Sequence, residues 1–186
     1  MVRGVLSSGV PHDPSLLEAA LLGLLTRSPA SGYQLRKIFQ TTPLATYSDS
    51  PGAVYPALRR LRQRRFVSET MPEGGRRTTT YRVTTLGRDW LRRWVSQPVR
   101  APEAARGLPA LDLRLALMSH IAPRRLSGFL RECAVALQEY HDSVQRSAGA
   151  LEAQLLPSGA LALELGMHLL NARQAWYRRA IHRPAR

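Results

Sequence analysis

The residues from Ser50 to Gln63 concentrate side chains that can recognise another molecule. At helical spacing Val54, Ala57, Leu58 and Leu61 share one apolar stripe, which turns Tyr55, Arg59, Arg62 and Gln63 outward. An outward arginine offers a rigid fork of N–H donors that fits the O6 and N7 edge of guanine, and a tyrosine hydroxyl can reach a phosphate or a base edge. A second cluster, Gly74-Gly75-Arg76-Arg77, places two guanidinium groups on a turn rich in positions that tolerate positive φ. From there they could meet phosphates or an adjacent minor groove. Both features also suit a basic surface that is merely solvated, so their meaning depends on the elements that carry them.

Other chemistries find little support. His12, His120, His141, His168 and His182 are scattered, with no HExxH pattern and no Cys/His cluster. Glu164 and His168 lie four apart and could share a metal, but an ordinary helix pair is the simpler reading. Cys133 is the single cysteine, so neither an intrachain disulfide nor a multi-thiolate site is available, and His141 is two helical turns from it rather than beside it. No P-loop and no dinucleotide fingerprint is present. The expectation is a protein that is not an enzyme and needs no metal or cofactor. The longest apolar stretch, Leu16 to Leu25, contains Glu18 and falls short of a membrane span, and Met1 to Val10 has no sustained apolar block. A cytoplasmic protein without a membrane partner is expected.

Charge distribution narrows the partner. Among 186 residues, 27 are basic and 13 acidic, for a net charge of +14. All the basic residues but Lys37 are arginine. Residues 1–100 carry 16 basic against 6 acidic groups, whereas residues 101–186 carry 11 against 7. The excess in the first half is what a domain facing a polyanion would show.

The elements around these residues form a recognisable order. Residues 1–14, with Ser7-Ser8-Gly9, Pro11 and Asp13-Pro14, read as an irregular arm. Ser15 is a plausible N-cap for a first helix with Leu17, Leu21, Leu24 and Leu25 on one stripe. Ser31 caps a short second helix whose apolar set is Tyr33, Leu35, Ile38 and Phe39. Ser50-Pro51 starts the third helix, an N-cap hydroxyl followed by proline at the first helical position. Pro56 fits this helix poorly, because it removes a donor and crowds the Gly52 carbonyl. Either the regular helix begins after Pro51 or its first turns are distorted.

Phe66 to Thr70 and Thr78 to Val83 read as paired strands around a turn at Pro72 to Arg77. Thr85 is expected to cap a helix carrying Leu86, Trp90, Leu91, Trp94 and Val95, which Pro98 ends. Three helices followed by a β-hairpin is the plan of a winged helix-turn-helix, which lays its third helix in the DNA major groove.

Beyond a Pro- and Gly-containing stretch at 99–110, the chain reads as helical. Leu111 to Ile121 forms one helix. Leu126, Leu130, Cys133, Leu137, Tyr140, Val144, Leu151 and Leu155 then keep a near 3-4 rhythm that suits pairing with another helix. Pro157-Ser158-Gly159 breaks it, and a last helix carries Leu161, Leu165, Leu169, Ala172 and Trp176. The expected fold class is therefore mainly α with a small β-hairpin wing. It comprises an arm at 1–14, a winged helix-turn-helix at 15–98, a linker at 99–110 and a helical dimerisation region at 111–183.

Several blocks resemble one family. Leu21-Leu22-Gly23-Leu24-Leu25 and Ser31-Gly32-Tyr33-Gln34-Leu35 look like the opening of PadR-family transcriptional regulators. The run from Ser50-Pro51-Gly52-Ala53-Val54-Tyr55-Pro56 to Ala57-Leu58-Arg59-Arg60-Leu61 is similar to that family's recognition helix, including the Tyr-Pro pair. Arg76 to Val83 with Thr84-Thr85-Leu86-Gly87 resembles its wing and exit. The likeness covers roughly residues 16–97. It implies a dimeric regulator, usually a repressor, with Tyr55 facing DNA and with Ser50 and Gly52 near a phosphate. The chain departs from the family at Arg64-Arg65-Phe66, where relatives commonly carry Glu-Gly, so the turn into the first strand lacks its glycine.

Together these readings predict a homodimer that binds double-stranded DNA sequence-specifically through Ser50, Gly52, Tyr55, Arg59, Arg62, Gln63, Arg76 and Arg77. Trp90 and Trp94, one turn apart, are candidates to stack on a small aromatic effector that relieves repression. The competing reading is an architectural or protein-interaction winged-helix module with no specific operator.

Overall fold

A computed structural model of the chain describes residues 14–42, 51–70, 79–101, 104, 108–152 and 156–182. Backbone contacts divide the chain into two compact units, Met1–Leu91 and Arg92–Arg186.

The first unit opens with α1 (Leu16–Arg27). Its N-cap is Ser15, whose hydroxyl accepts from the Glu18 N–H while the Glu18 carboxylate accepts from the Ser15 N–H, a reciprocal capping box. The helix is buried nearly all round rather than along one stripe: Ala19, Ala20, Leu21, Leu22 and Leu25 are fully enclosed. A two-residue strand, β1 (Ala30–Ser31), precedes α2 (Gly32–Thr41), which repeats the capping box with Ser31 and Gln34. In α2, Leu35 and Phe39 are buried and Tyr33 is exposed, so Tyr33 leaves the apolar set in which its spacing placed it.

Helix α3 (Pro51–Gln63) runs through Pro56 without interruption. The regular helix therefore does not begin later than Pro51. Pro56 lies in the second turn, where its ring removes one N–H donor from the helix. Val54, Ala57, Leu58 and Leu61 are all at 0% exposure, as the stripe predicts.

The strands β2 (Val67–Thr70) and β3 (Thr80–Val83) pair antiparallel, and β1 adds to the far side of β3, giving a three-stranded sheet in the order β1-β3-β2. The predicted turn at Pro72 to Arg77 lies outside the described residues. Helix α4 (Thr85–Val95) follows. Its cap is Thr84 rather than Thr85: the Thr84 hydroxyl accepts from the Gly87 N–H at 3.1 Å and donates to the Arg65 carbonyl at 2.7 Å. Gly87 allows this approach, since a Cβ there would stand 2.3 Å from the Phe66 carbonyl oxygen.

The turn from α3 into β2 is closed without a glycine. The Phe66 N–H donates to the Leu61 carbonyl and the Arg65 N–H to the Arg62 carbonyl, which is the Schellman pattern with Arg65 at the left-handed position, φ 58°. An L residue in that conformation costs roughly 1 kcal/mol. Arg65→Gly is accordingly expected to stabilise the protein by about 0.5–1 kcal/mol in urea unfolding, less the chain entropy that glycine adds to the unfolded state. An unchanged or lowered midpoint would show that the Arg65 side chain contributes more than the turn costs.

The second unit is helical. It contains α5 (Leu108–Ile121), a 3-10 turn at Pro123–Arg125, α6 (Leu126–Glu152) and α7 (Pro157–Ile181). Within the stretch before α5, Ala101 and Ala104 are helical and Ala104 is buried. Helices α6 and α7 run antiparallel and share a seam. Phe129, Leu130, Cys133, Ala136 and Leu137 of α6 are buried, as are Leu170, Gln174, Tyr177 and Ala180 of α7. The Gln174 amide donates to the Leu137 carbonyl at 3.0 Å, satisfying a polar group inside that seam. Arg173 makes a two-pronged pair with Asp112 of α5 at 2.9 Å for each prong.

Arg114 is the unit's buried cation, at 1% exposure. It donates to the carbonyls of Val95 and Gln97 and stands 5.0 Å from the Phe129 ring centroid, so it caps the C-terminal end of α4. Leu151 and Leu155, predicted for the α6 seam, are a residue whose side chain is not described and one outside the described residues.

Candidate nucleic-acid interface

Gly52, Tyr55, Arg59, Arg62 and Gln63 are exposed on α3, and at about 100° per residue they occupy an arc of roughly 100° opposite the buried stripe. The face selected from spacing is therefore a continuous outer face. Ser50, Arg76 and Arg77 lie outside the described residues.

The tertiary contacts sort these side chains by role. Tyr55, 44% exposed, lays its ring against the start of α2: a Cβ at Gly32 would come within 2.6 Å of Tyr55 Cε1. The missing side chain at Gly32 thus holds the tyrosine close to the helix surface. Arg59 makes no ion pair with any described residue. Arg60, next in sequence, points the other way and donates to Glu18 at 2.5 Å, while Arg64 reaches the second oxygen of Glu18 at 3.2 Å. Arg62 stays on the outer face but is held at 2.7 Å by Glu69 of β2.

Glu69 stands opposite Tyr81 in the β2–β3 register. Burial and the neighbouring Glu69 carboxylate raise the Tyr81 pKa, so the phenol stays protonated and remains a donor. Glu18, Glu69 and Tyr81 were not singled out from the sequence. Only the strand register and the α1–α3 packing bring them to the arginines. The face also extends onto α2, where Tyr33 and Lys37 are exposed and the Arg36 guanidinium sits 5.8 Å over the Tyr33 ring.

Trp90 stacks on Phe66, with centroids 5.8 Å apart and planes at 25°. Trp94 is half-buried in the other unit. Neither lines the clefts found around α6 and α7. Glu164 and His168 form an exposed i,i+4 pair at 3.6 Å. Among the described residues no group of three or more His, Cys, Asp or Glu side chains could hold a metal ion, and no helix is long and apolar enough to cross a membrane.

Residues 21–93 match the transcriptional regulator PadR-like family. Transcriptional regulator YqjI of Escherichia coli (strain K12) is 31% identical over 75 residues, which are 40% of this chain and 35% of that protein. The chain therefore spans about a third of the length of that relative. Among solved structures, Bacillus subtilis PadR in complex with operator DNA is 20% identical, with 90% of this chain and 98% of that chain covered and a TM-score of 0.42. The same regulator with p-coumaric acid gives 20% identity, coverage of 90% and 97%, and a TM-score of 0.43.

Proposed function

We propose, from the match of residues 21–93 to the transcriptional regulator PadR-like family, that the protein is a homodimeric, sequence-specific DNA-binding regulator that represses transcription. The observation that carries this reading is the outer face of α3. It is exposed, basic and aromatic, and its opposite side is completely buried, so the helix is fixed while its reading side chains stay open to a duplex. In this reading Gly52 and Ser50 approach a phosphate, and Tyr55, Arg59, Arg62 and Gln63 face the groove. Arg76 and Arg77 contact the backbone and make affinity steeply salt-dependent.

A second copy of the chain is supported by α7. Leu161, Leu165 and Leu169 are exposed at 67%, 61% and 62%, and together with Ala172 and Trp176 they form one stripe at helical spacing. Three large leucines in a row on one helix face suit a coiled-coil-like contact with the same face of a partner. Two symmetric α3 helices could then enter successive major grooves of a palindromic site. The finer part of the reading is relief by a small aromatic effector. It is supported by a cleft of about 310 Å³ lined by Tyr140, Val144, Leu163, Met167 and Leu170. We assign the effector to this cleft rather than to Trp90, whose ring is taken up by Phe66.

The test is a titration of the protein on the DNA upstream of its own coding region against a scrambled duplex. Arg59→Ala should weaken binding to the upstream DNA by about 10- to 100-fold, the worth of one bidentate base contact, and leave the melting temperature unchanged. Equal wild-type affinity for both duplexes would favour an architectural module instead. Unaltered affinity of the Arg59→Ala protein would remove that residue from the interface.

A further inference from the structure

A carboxylate on a DNA-reading surface calls for explanation, because it repels phosphates. Glu69, on β2, stands against the face of α3 that the proposed function turns toward DNA, and it grips one of the arginines there. Resting on that reading, we propose that Glu69 is a specificity-determining positioning residue: it holds one edge of the Arg62 guanidinium so that the opposite edge is presented to a base.

The geometry is particular. Arg62 Nη1 donates to Glu69 Oε2 at 2.7 Å, which uses one of the five guanidinium N–H donors and leaves the rest available. The Arg62 side chain keeps 53% of its surface exposed, whereas that of Glu69 keeps 24%. The anchor is therefore the more enclosed partner and the arginine the open one. Glu69 is itself held in place, because it lies on β2 in register with Tyr81 of β3. A free arginine samples many rotamers and loses that freedom on binding a base, whereas one held in a planar, charge-assisted contact has lost part of it beforehand. Arg59 has no such anchor among the described residues. The two arginines should therefore differ in kind: Arg62 reads one base pair sharply, and Arg59 binds with less dependence on its exact surroundings.

Selection from a duplex library randomised over about 20 central base pairs, the span of two adjacent half-sites, tests this with full-length protein. Wild type, Glu69→Gln, Tyr81→Phe and Arg62→Ala are compared, followed by salt titrations on the best duplex and on a scrambled one. Glu69→Gln should lose about 10-fold discrimination at one base pair in each half-site. Its affinity for the scrambled duplex should hold or rise, since a negative charge is gone. Tyr81→Phe, which leaves the Arg62–Glu69 pair in place, should keep the wild-type profile, and Arg62→Ala should lose discrimination at that position so fully that adding Glu69→Gln changes nothing further. A base profile for Glu69→Gln identical to that of wild type, or one weakened evenly at every position, overturns the proposal while leaving the DNA-binding reading intact. A wild-type protein that enriches no motif overturns both.

Discussion

Leu165→Glu/Leu169→Glu is expected to convert the proposed dimer to a folded monomer and to weaken binding to a two-half-site operator by roughly 10²–10⁴-fold, the advantage that linked binding supplies. Both leucines are more than half exposed in the single chain and are not among the buried α7 residues of the seam, Leu170, Gln174, Tyr177 and Ala180. Charging them should therefore leave the α6–α7 pair unaffected. Each leucine buried in a symmetric contact contributes about 1.5–3 kcal/mol, and the same contact would bring the introduced carboxylates of two copies together without a partner. Sedimentation equilibrium reads the mass directly, and circular dichroism checks that helix content survives. A variant that still sediments as a dimer would move the interface off this stripe. If the wild-type protein is itself monomeric, two-site reading by paired α3 helices is lost with it.

The largest loss of stability is expected from Glu18→Ala, about 2–4 kcal/mol. The Glu18 side chain is only 2% exposed and accepts three donors, the Ser15 N–H at 2.9 Å, Arg60 Nε at 2.5 Å and Arg64 Nη1 at 3.2 Å. It closes the N-terminal box of α1 and fastens the end of α3 to it. Breaking a wholly buried pair costs about 3–5 kcal/mol because the abandoned charge stays buried. Here the Arg60 and Arg64 side chains are 48% and 23% exposed and can swing back into water, which lowers the estimate. Glu18→Gln keeps an oxygen for the Ser15 N–H and loses the ionic part, so it should fall between wild type and alanine. For a unit of this size 1 kcal/mol moves the midpoint by about 4–8 °C, so the alanine variant should melt roughly 10–25 °C lower. A shift of only a few degrees would mean that α1 and α3 are held by leucine packing alone.

The parts of the fold that were legible share a local cause. Ser15 and Ser31 were readable as caps because each capping box closes within one helical turn, three residues away. The buried stripe of α3 was readable because helical periodicity alone decides which side chains lie together. Thr84, not Thr85, caps α4 because its hydroxyl also has the Arg65 carbonyl to reach, a partner 19 residues distant that no local rule supplies. Tyr33 was placed inside by spacing, but α2 is short and Leu35 and Phe39 suffice to dock it, so the ring turns outward beneath Arg36. A two-residue strand such as β1 carries almost no pattern of its own and exists only because β3 offers a free edge.

The sequence by itself determined which face of α3 is apolar, where α1 and α2 begin, and that the basic residues gather in the first half of the chain, since each follows from spacing or composition. Which arginine reads outward and which is spent on the interior was decided by tertiary structure. Arg59, Arg60, Arg62 and Arg64 are chemically the same. What separates them is the approach of Glu18 from α1 and of Glu69 from β2, over separations of 42, 46 and 7 residues. A Coulombic partner acts through distance in space, and only the packed chain sets that distance.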